Sequence, residues 1–376
     1  MAPPPAAHVP CAISYRVKSF DKGQAMTLSG LMVPPSLKPG DKIAAVSLSW
    51  GGAGEERLRA RYEAGKKQLQ DTFGVQVVEM PNTLKGANYI YHNPQARVDD
   101  LHQAFEDNEI KAVISCIGGD DSVRLIDRID LKVLRAHPKV FMGYSDTTVS
   151  HFVCLKAGLR SYYGPSILSG FAENTGMHDY LIQSVQRTVF SGNVIGTIEN
   201  SKEGWTSEHL EWDVPGNQSI KRKMHPPMEW RFLQGKTVVT GRLLGGCTDV
   251  LPMIVGTSVW PDVDTWKDAI LFLENSEEAM SPGTFLSTLR NLGAQGIVDR
   301  LSGILFSRPS HVAAEKFAEY EDMLLKACAE YGRQDLPIIT RMDFGHTDPM
   351  FVIPLGAKAT IDPVAKRFSI DEPGCR

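Results

Sequence analysis

The sequence predicts an α/β protein of two domains, the first built on a parallel sheet. Three observations carry this. Short apolar strands alternate with helical segments over the first half. Those strands are apolar on both faces, as in a sheet covered by helices on both sides. A chain of 376 residues exceeds one ordinary domain, and its α/β pattern breaks between 191 and 236 before resuming.

The elements follow in order. Residues 1–36 read as an N-terminal extension, with prolines at 3, 4 and 5 favouring an extended tail. Ile43 to Leu48 is an apolar run after a Pro-Gly turn and is the first strand. Glu55 to Asp71 carries Leu58, Tyr62 and Leu69 at near-helical spacing. Gln76 to Glu79 is the second strand, and Gln95 to Asn108 is a helix with Val98, Leu101 and Phe105 on one stripe. Ala112 to Ile117 is the third strand and runs into Gly118-Gly119-Asp120-Asp121. Ser122 to Ile129 is a helix. Val140 to Gly143 is the fourth strand and runs into Tyr144-Ser145-Asp146-Thr147-Thr148. The first domain spans 37–190.

Residues 191–236 form a polar linker and loop holding three of the six tryptophans, Trp205, Trp212 and Trp230. Its length suggests a lid, and its tryptophans argue against simple disorder. A second, mixed α/β domain covers 237–376. Its strands are Thr237 to Leu244, Ala269 to Leu273 closing on Glu274, and Ile338 to Thr340. A long helix spans Ala313 to Tyr331, and a hairpin spans Phe351 to Ile370 with Pro363 near its turn.

Composition narrows the function. A net charge of -4 gives no reason to expect nucleic acid or an anionic membrane as partner. No apolar run is long enough to span a bilayer, and no secretory signal is read at the start. The six cysteines are scattered without a C-x-x-C pair, which signals neither zinc nor disulfides and suits a reducing cytoplasm. No metal-ligand spacing is present, so no metal is implied.

In parallel sheets ligands bind beyond the carboxyl ends of the strands, where GGDD and GYSD both lie. Ser145 there either caps the following helix or attacks a substrate. An attacking serine on a sharp turn would have the N–H of Asp146 beside it as an oxyanion donor. Gly118 and Gly119 offer a second donor through close backbone approach, or mark only a tight turn. A serine nucleophile needs a base, and among ten histidines His346 stands out, in a polar loop after a strand. The base needs an orienting acid. Glu274 is one candidate; Asp343 and Asp348 compete for the role.

LKPGDKIAAVS, GGDDSVRLID, GYSDTT, RLLGGC, LFLEN and GHTDP occur in the order seen in the LD-carboxypeptidase family of serine peptidases, which the chain resembles from Leu37 to its end. The resemblance implies a flavodoxin-like N-terminal domain, a β-rich C-terminal domain, an active site between them, a homodimer and no cofactor. By motif match the nucleophile is Ser145, the acid Glu274 and the base His346, with Asp146, Gly118 and Gly119 at the oxyanion. One branch of the family trims muropeptides. The other resembles the microcin C immunity protein and cleaves the amide between an aminoacyl group and a nucleotide analogue. The tryptophan-rich insertion looks like the second branch, with Trp205 or Trp212 stacking on the base and Arg242 or Arg308 as a carboxylate holder. A departure is Cys247, where the family's GGN motif more usually has asparagine. The competing non-enzymatic reading is a small-ligand-binding protein with two α/β domains around a cleft.

Overall fold

The computed structural model describes residues 27–376. Most of the expected extension 1–36, with Cys11, lies outside the described residues. In chain order the strands are β1 (Lys42–Val46), β2 (Gln76–Glu79), β3 (Ile110–Ser115), β4 (Val140–Gly143), β5 (Tyr162–Tyr163), β6 (Val194–Ile198) and β7 (Arg231–Gln234). They continue as β8 (Val239–Cys247), β9 (Ala269–Glu274), β10 (Gly303–Ser307), β11 (Ile338–Met342), β12 (Ile353–Pro354), β13 (Lys358–Asp362) and β14 (Arg367–Pro373).

The first sheet has the order β12-β5-β4-β3-β1-β2. Strands β1 to β5 are parallel, giving the flavodoxin-like order 2-1-3-4-5. Their apolar residues are buried on both faces: Ile43, Ala44, Ala45 and Val46 in β1, Ala112, Val113 and Ile114 in β3, and all of β4. The helices Arg59–Phe73, Pro94–Glu106 and Thr148–Ala157 connect these strands. The segment Ser122–Arg128 coils as a 3-10 helix.

The second sheet has the order β6-β14-β13-β8-β9-β10-β11-β7. Strands β8 to β11 are parallel at its centre, flanked by antiparallel strands. Both β6 and β7 come from within 191–236 and sit at the two edges. The expected C-terminal hairpin is β13–β14, paired from Ala359↔Ile370 to Asp362↔Arg367. β12 leaves the second half of the chain and pairs antiparallel with β5, Ile353 opposite Tyr163. The two sheets therefore share chain in both directions, and the carboxyl ends of β4 and β9 face one cleft.

Candidate active site

Ser145 follows β4 through an extended Tyr144 (φ -148°) and itself adopts φ +62° before the backbone turns helical. A left-handed serine costs on the order of 1–3 kcal/mol and persists where the surroundings enforce it. Tyr144, not Ser145, occupies the N-cap position, and it makes no side-chain capping bond. Ser145 is therefore no cap, and its Oγ opens into a cleft of about 380 Å³ lined also by Gly118, Gly119, Trp212, Glu277 and His346.

Gly118 has to be glycine. A Cβ there would stand 2.8 Å from the Ser145 Cβ, 2.9 Å from its Oγ and 3.2 Å from the Asp146 nitrogen. The Gly118 backbone thus packs against both the hydroxyl and the next amide, where an oxyanion would form. Gly119 has φ +144°, and a Cβ on it would strike Ser49 Oγ at 2.3 Å. The following aspartates are divided in role. Asp121 is held by the buried Arg97 (2.6 Å) and by Arg124 (2.7 Å), whereas Asp120 is exposed. The Asp146 carboxylate is buried and accepts from the Ser122 amide at 2.9 Å; burial raises its pKa.

His346 reaches the cleft from the loop after β11. Its Nδ1 meets Glu274 Oε2 at 2.6 Å, and its backbone N–H donates to the same oxygen at 3.2 Å. Glu274 is fully buried at the end of β9, and Gly345 makes room for it, since a Cβ on Gly345 would fall 2.5 Å from Oε2. Of the competing acids, Asp343 pairs with the buried Arg308 and accepts from Trp230 Nε1 (2.6 Å), while Asp348 pairs with Arg222 at 2.7 Å. Glu274 alone of the three contacts the imidazole. The Nε2 of His346 is 3.1 Å from Glu277 Oε2. Burial pushes the imidazole down, but Glu274 and Glu277 more than offset this and lift it to about 10. Hydrogen bonding to His346, working against burial, brings Glu277 down to about 2. Cys247 Sγ lies with Glu274 and His346 in a group within 4.8 Å. The imidazole of this group lies between two carboxylates, Glu274 at Nδ1 and Glu277 at Nε2.

One residue escapes a reading of the sequence. Tyr163, buried at the end of β5, accepts from the Ser145 N–H at 3.2 Å and donates its phenol hydrogen to Glu274 Oε1. It ties the strained serine to the acid behind the histidine. Burial, then the neighbouring Glu274 charge, holds its phenol well above the usual range, so it remains a donor.

The structure separates the expected substrate residues. Trp212 lines the cleft, with the Arg61 guanidinium 4.8 Å from its ring centroid. Trp205 does not: it is 2% exposed, stacked on His225 at 4.2 Å, with Arg308 on its other contacts. Arg242 is outside the cleft as well, paired with Glu372 (3.0 Å) and bonded to the Gly356 carbonyl (2.6 Å). Arg308 is spent on Asp343.

With this geometry in hand, the comparison with known proteins is decisive. Residues 43–164 match the LD-carboxypeptidase N-terminal domain and residues 240–361 the LD-carboxypeptidase C-terminal domain. The chain belongs to the LD-carboxypeptidase family. As a member it is an enzyme, a serine peptidase of carboxypeptidase type. It is 28% identical over 353 residues to the microcin C7 self-immunity protein MccF of Escherichia coli, covering 92% of this chain and 98% of that protein. It is 28% identical over 366 residues to a Bacillus subtilis (strain 168) protein named "Probable murein peptide carboxypeptidase", covering 96% and 95%. A solved MccF-like protein from Streptococcus pneumoniae, in complex with AMP, superposes with a TM-score of 0.80 at 28% identity, covering 91% of this chain and 99% of that one. MccF in complex with aspartyl sulfamoyl adenosine superposes at 0.77 and 25% identity, covering 92% and 100%.

Proposed function

We propose that the protein hydrolyses the amide between an aminoacyl group and a nucleotide analogue, using Ser145 as nucleophile, His346 as base and Glu274 as the orienting acid. The observation that carries this is the 2.6 Å grip of Glu274 on Nδ1 of His346, in the same cleft as a left-handed Ser145 that is not the N-cap. In the reaction, Nε2 takes the Ser145 proton as Oγ bonds to the carbonyl carbon. Glu274 holds the tautomer and balances the imidazolium. The oxyanion forms against the N–H of Asp146 and the Gly118–Gly119 backbone, each donor contributing about 2.7–4 kcal/mol. The leaving amine takes the proton back from Nε2, and water resolves the acyl-enzyme by the reverse sequence.

The nucleotide part of the reading rests on Trp212, a ring at the cleft wall beside Arg61. A base stacked there is stabilised by about 1–3 kcal/mol. It also rests on the relatives crystallised with AMP and with aspartyl sulfamoyl adenosine. The test sets aspartyl sulfamoyl adenosine beside a muropeptide tetrapeptide, with products separated by mass spectrometry. Wild type should release aspartate and sulfamoyl adenosine, and Ser145→Ala should release neither while melting as wild type. Turnover retained by Ser145→Ala removes the nucleophile; turnover of the muropeptide alone removes the nucleotide assignment.

A further inference from the structure

The base in this structure is not free to accept a proton from Ser145. Its Nε2 is held by Glu277 at 3.1 Å while its Nδ1 is held by Glu274. A carboxylate oxygen close to each ring nitrogen favours the charged form of the ring, the imidazolium. The two acids are not equivalent. Glu274 is fully buried, and its carboxylate is fixed by Tyr163 and by two N–H groups of His346. The Glu277 side chain is 57% exposed and sits two residues before the left-handed Ala279, and among the described residues its carboxylate forms an ion pair only with His346. It can rotate away; Glu274 cannot.

Glu277 would rotate into a second cavity of about 550 Å³, which shares Ser145, Gly118, Gly119 and Trp212 with the first. Acidic side chains dominate its charged lining: Asp120, Glu211, Asp213, Asp249, Glu277 and Glu278. Its one cation, Arg57, is already paired with Asp213 at 2.9 Å. The apolar part of the wall is Trp50, Leu58, Val250 and Met253. A negative potential focused in a walled cavity beside the nucleophile attracts cations and repels carboxylates.

We propose that Glu277 is both a latch on His346 and the receptor for a cationic amino group of the substrate: its carboxylate occupies Nε2 in the empty enzyme, and a substrate ammonium in the adjoining cavity draws it off. The inference rests on the triad reading above and extends it to the class of aminoacyl group accepted. With Glu277 on the substrate, the imidazolium sheds its Nε2 proton to water and the freed nitrogen faces Ser145. A substrate whose amino group is blocked has no ammonium to draw Glu277 off and leaves the latch shut. The other groups facing the imidazole are Glu274, the Cys247 thiol and the Tyr144 ring, with His311 against the Glu277 carbonyl.

Two measurements test this with Glu277→Gln, an exposed substitution that leaves the buried relay intact. The first needs no substrate: the rate at which an uncharged fluorophosphonate labels Ser145, followed by intact mass from pH 5 to 10. Glu277→Gln should label about tenfold faster at pH 7, with its acid limb moved to lower pH, because one of two carboxylates stabilising the imidazolium is gone. Equal rates and equal profiles overturn the latch. Label on Ser145→Ala would instead sink the nucleophile assignment, so the two failures are separable. The second compares an aminoacyl sulfamoyl adenosine bearing a free α-amino group with its N-acetyl derivative. Wild type should prefer the free amine by about tenfold or more in kcat/KM, and Glu277→Gln should lose that preference. A preference unchanged in the variant overturns the receptor role.

Discussion

Tyr163→Phe removes one oxygen and two hydrogen bonds, and the structure separates their consequences. The bond to Glu274 ends on a buried carboxylate that balances an imidazolium during the reaction. Hydrogen bonds to charged groups contribute about 1.5–3 kcal/mol. Glu274 holds the base most tightly when His346 is protonated in the transition state, so the loss should fall on kcat. The expected decrease is roughly 10- to 150-fold, with KM within about twofold. The second bond, from the Ser145 N–H at 3.2 Å, supports a residue at φ +62°. Leaving that buried donor unpaired costs a further ~1–3 kcal/mol, read as a lowered melting temperature. A third readout distinguishes positioning from mere structure. Without the phenol, Glu274 is held less firmly against the imidazolium, the pKa of His346 falls, and the acid limb of kcat/KM moves to lower pH. Steady-state kinetics from pH 5 to 10 and a thermal melt check all three. A variant with wild-type kcat, limb and melting temperature would refute the claim that Tyr163 couples nucleophile to acid.

Further predictions follow from the same geometry. Gly118→Ala should lower kcat by about 100-fold or more with little change in melting, because its Cβ would meet Ser145 Oγ at 2.9 Å and crowd the Asp146 amide. For pH, the His346 pKa is raised from 6.5 to about 10, so its pairing stabilises the fold fully below about pH 6.5 and is lost as pH rises towards 10. Activity should rise over that same window, since the base works when neutral, and opposite trends of stability and rate are the outcome to measure. Trp212→Ala should weaken AMP binding by roughly 5- to 150-fold in calorimetry. Trp205→Ala should instead destabilise by about 3–5 kcal/mol, seen in denaturant melts.

How much of this was legible beforehand depends on what kind of contact fixes each residue. β1, β3 and β4 announce themselves because burial on both faces leaves continuous apolar runs. The edge strands β6 and β7 do not, since half-exposed VIGTI and RFLQ carry no such run. Tyr163 belongs to a two-residue strand, below the length at which any period exists. Its only signal is position, shortly after the helix that Gly158 ends in a left-handed cap. Trp205 and Trp212 are equivalent in sequence; His225 and Arg308, remote along the chain, bury one of them and not the other. Arg242 has the right charge for a carboxylate but faces Glu372 across the C-terminal strands. The run Glu274 to Glu278 shows three acids, and only the fold decides which is buried behind the imidazole and which stands before it.

The two sheets are joined at the atoms of the proposed triad, and this limits what can move. The serine comes from β4 and the acid from β9, yet Tyr163 bonds to both. The Thr148 hydroxyl, one turn past Ser145, accepts from the Cys247 amide at 3.1 Å, and a Cβ on Gly246 would strike that threonine at 2.5 Å. Beyond His346 the chain returns to the first sheet, where Ile353 pairs with Tyr163 itself. A hinge opening between the sheets would have to break this ladder, the phenol bridge and the Thr148 contact together. Serine and histidine are thus set by strand pairing, and switching between idle and working states falls to side chains at the cleft mouth. Glu277 is the group there that both touches the base and reaches solvent. Regulation by one rotating carboxylate is what a site built on a shared scaffold can accommodate without disturbing its own alignment.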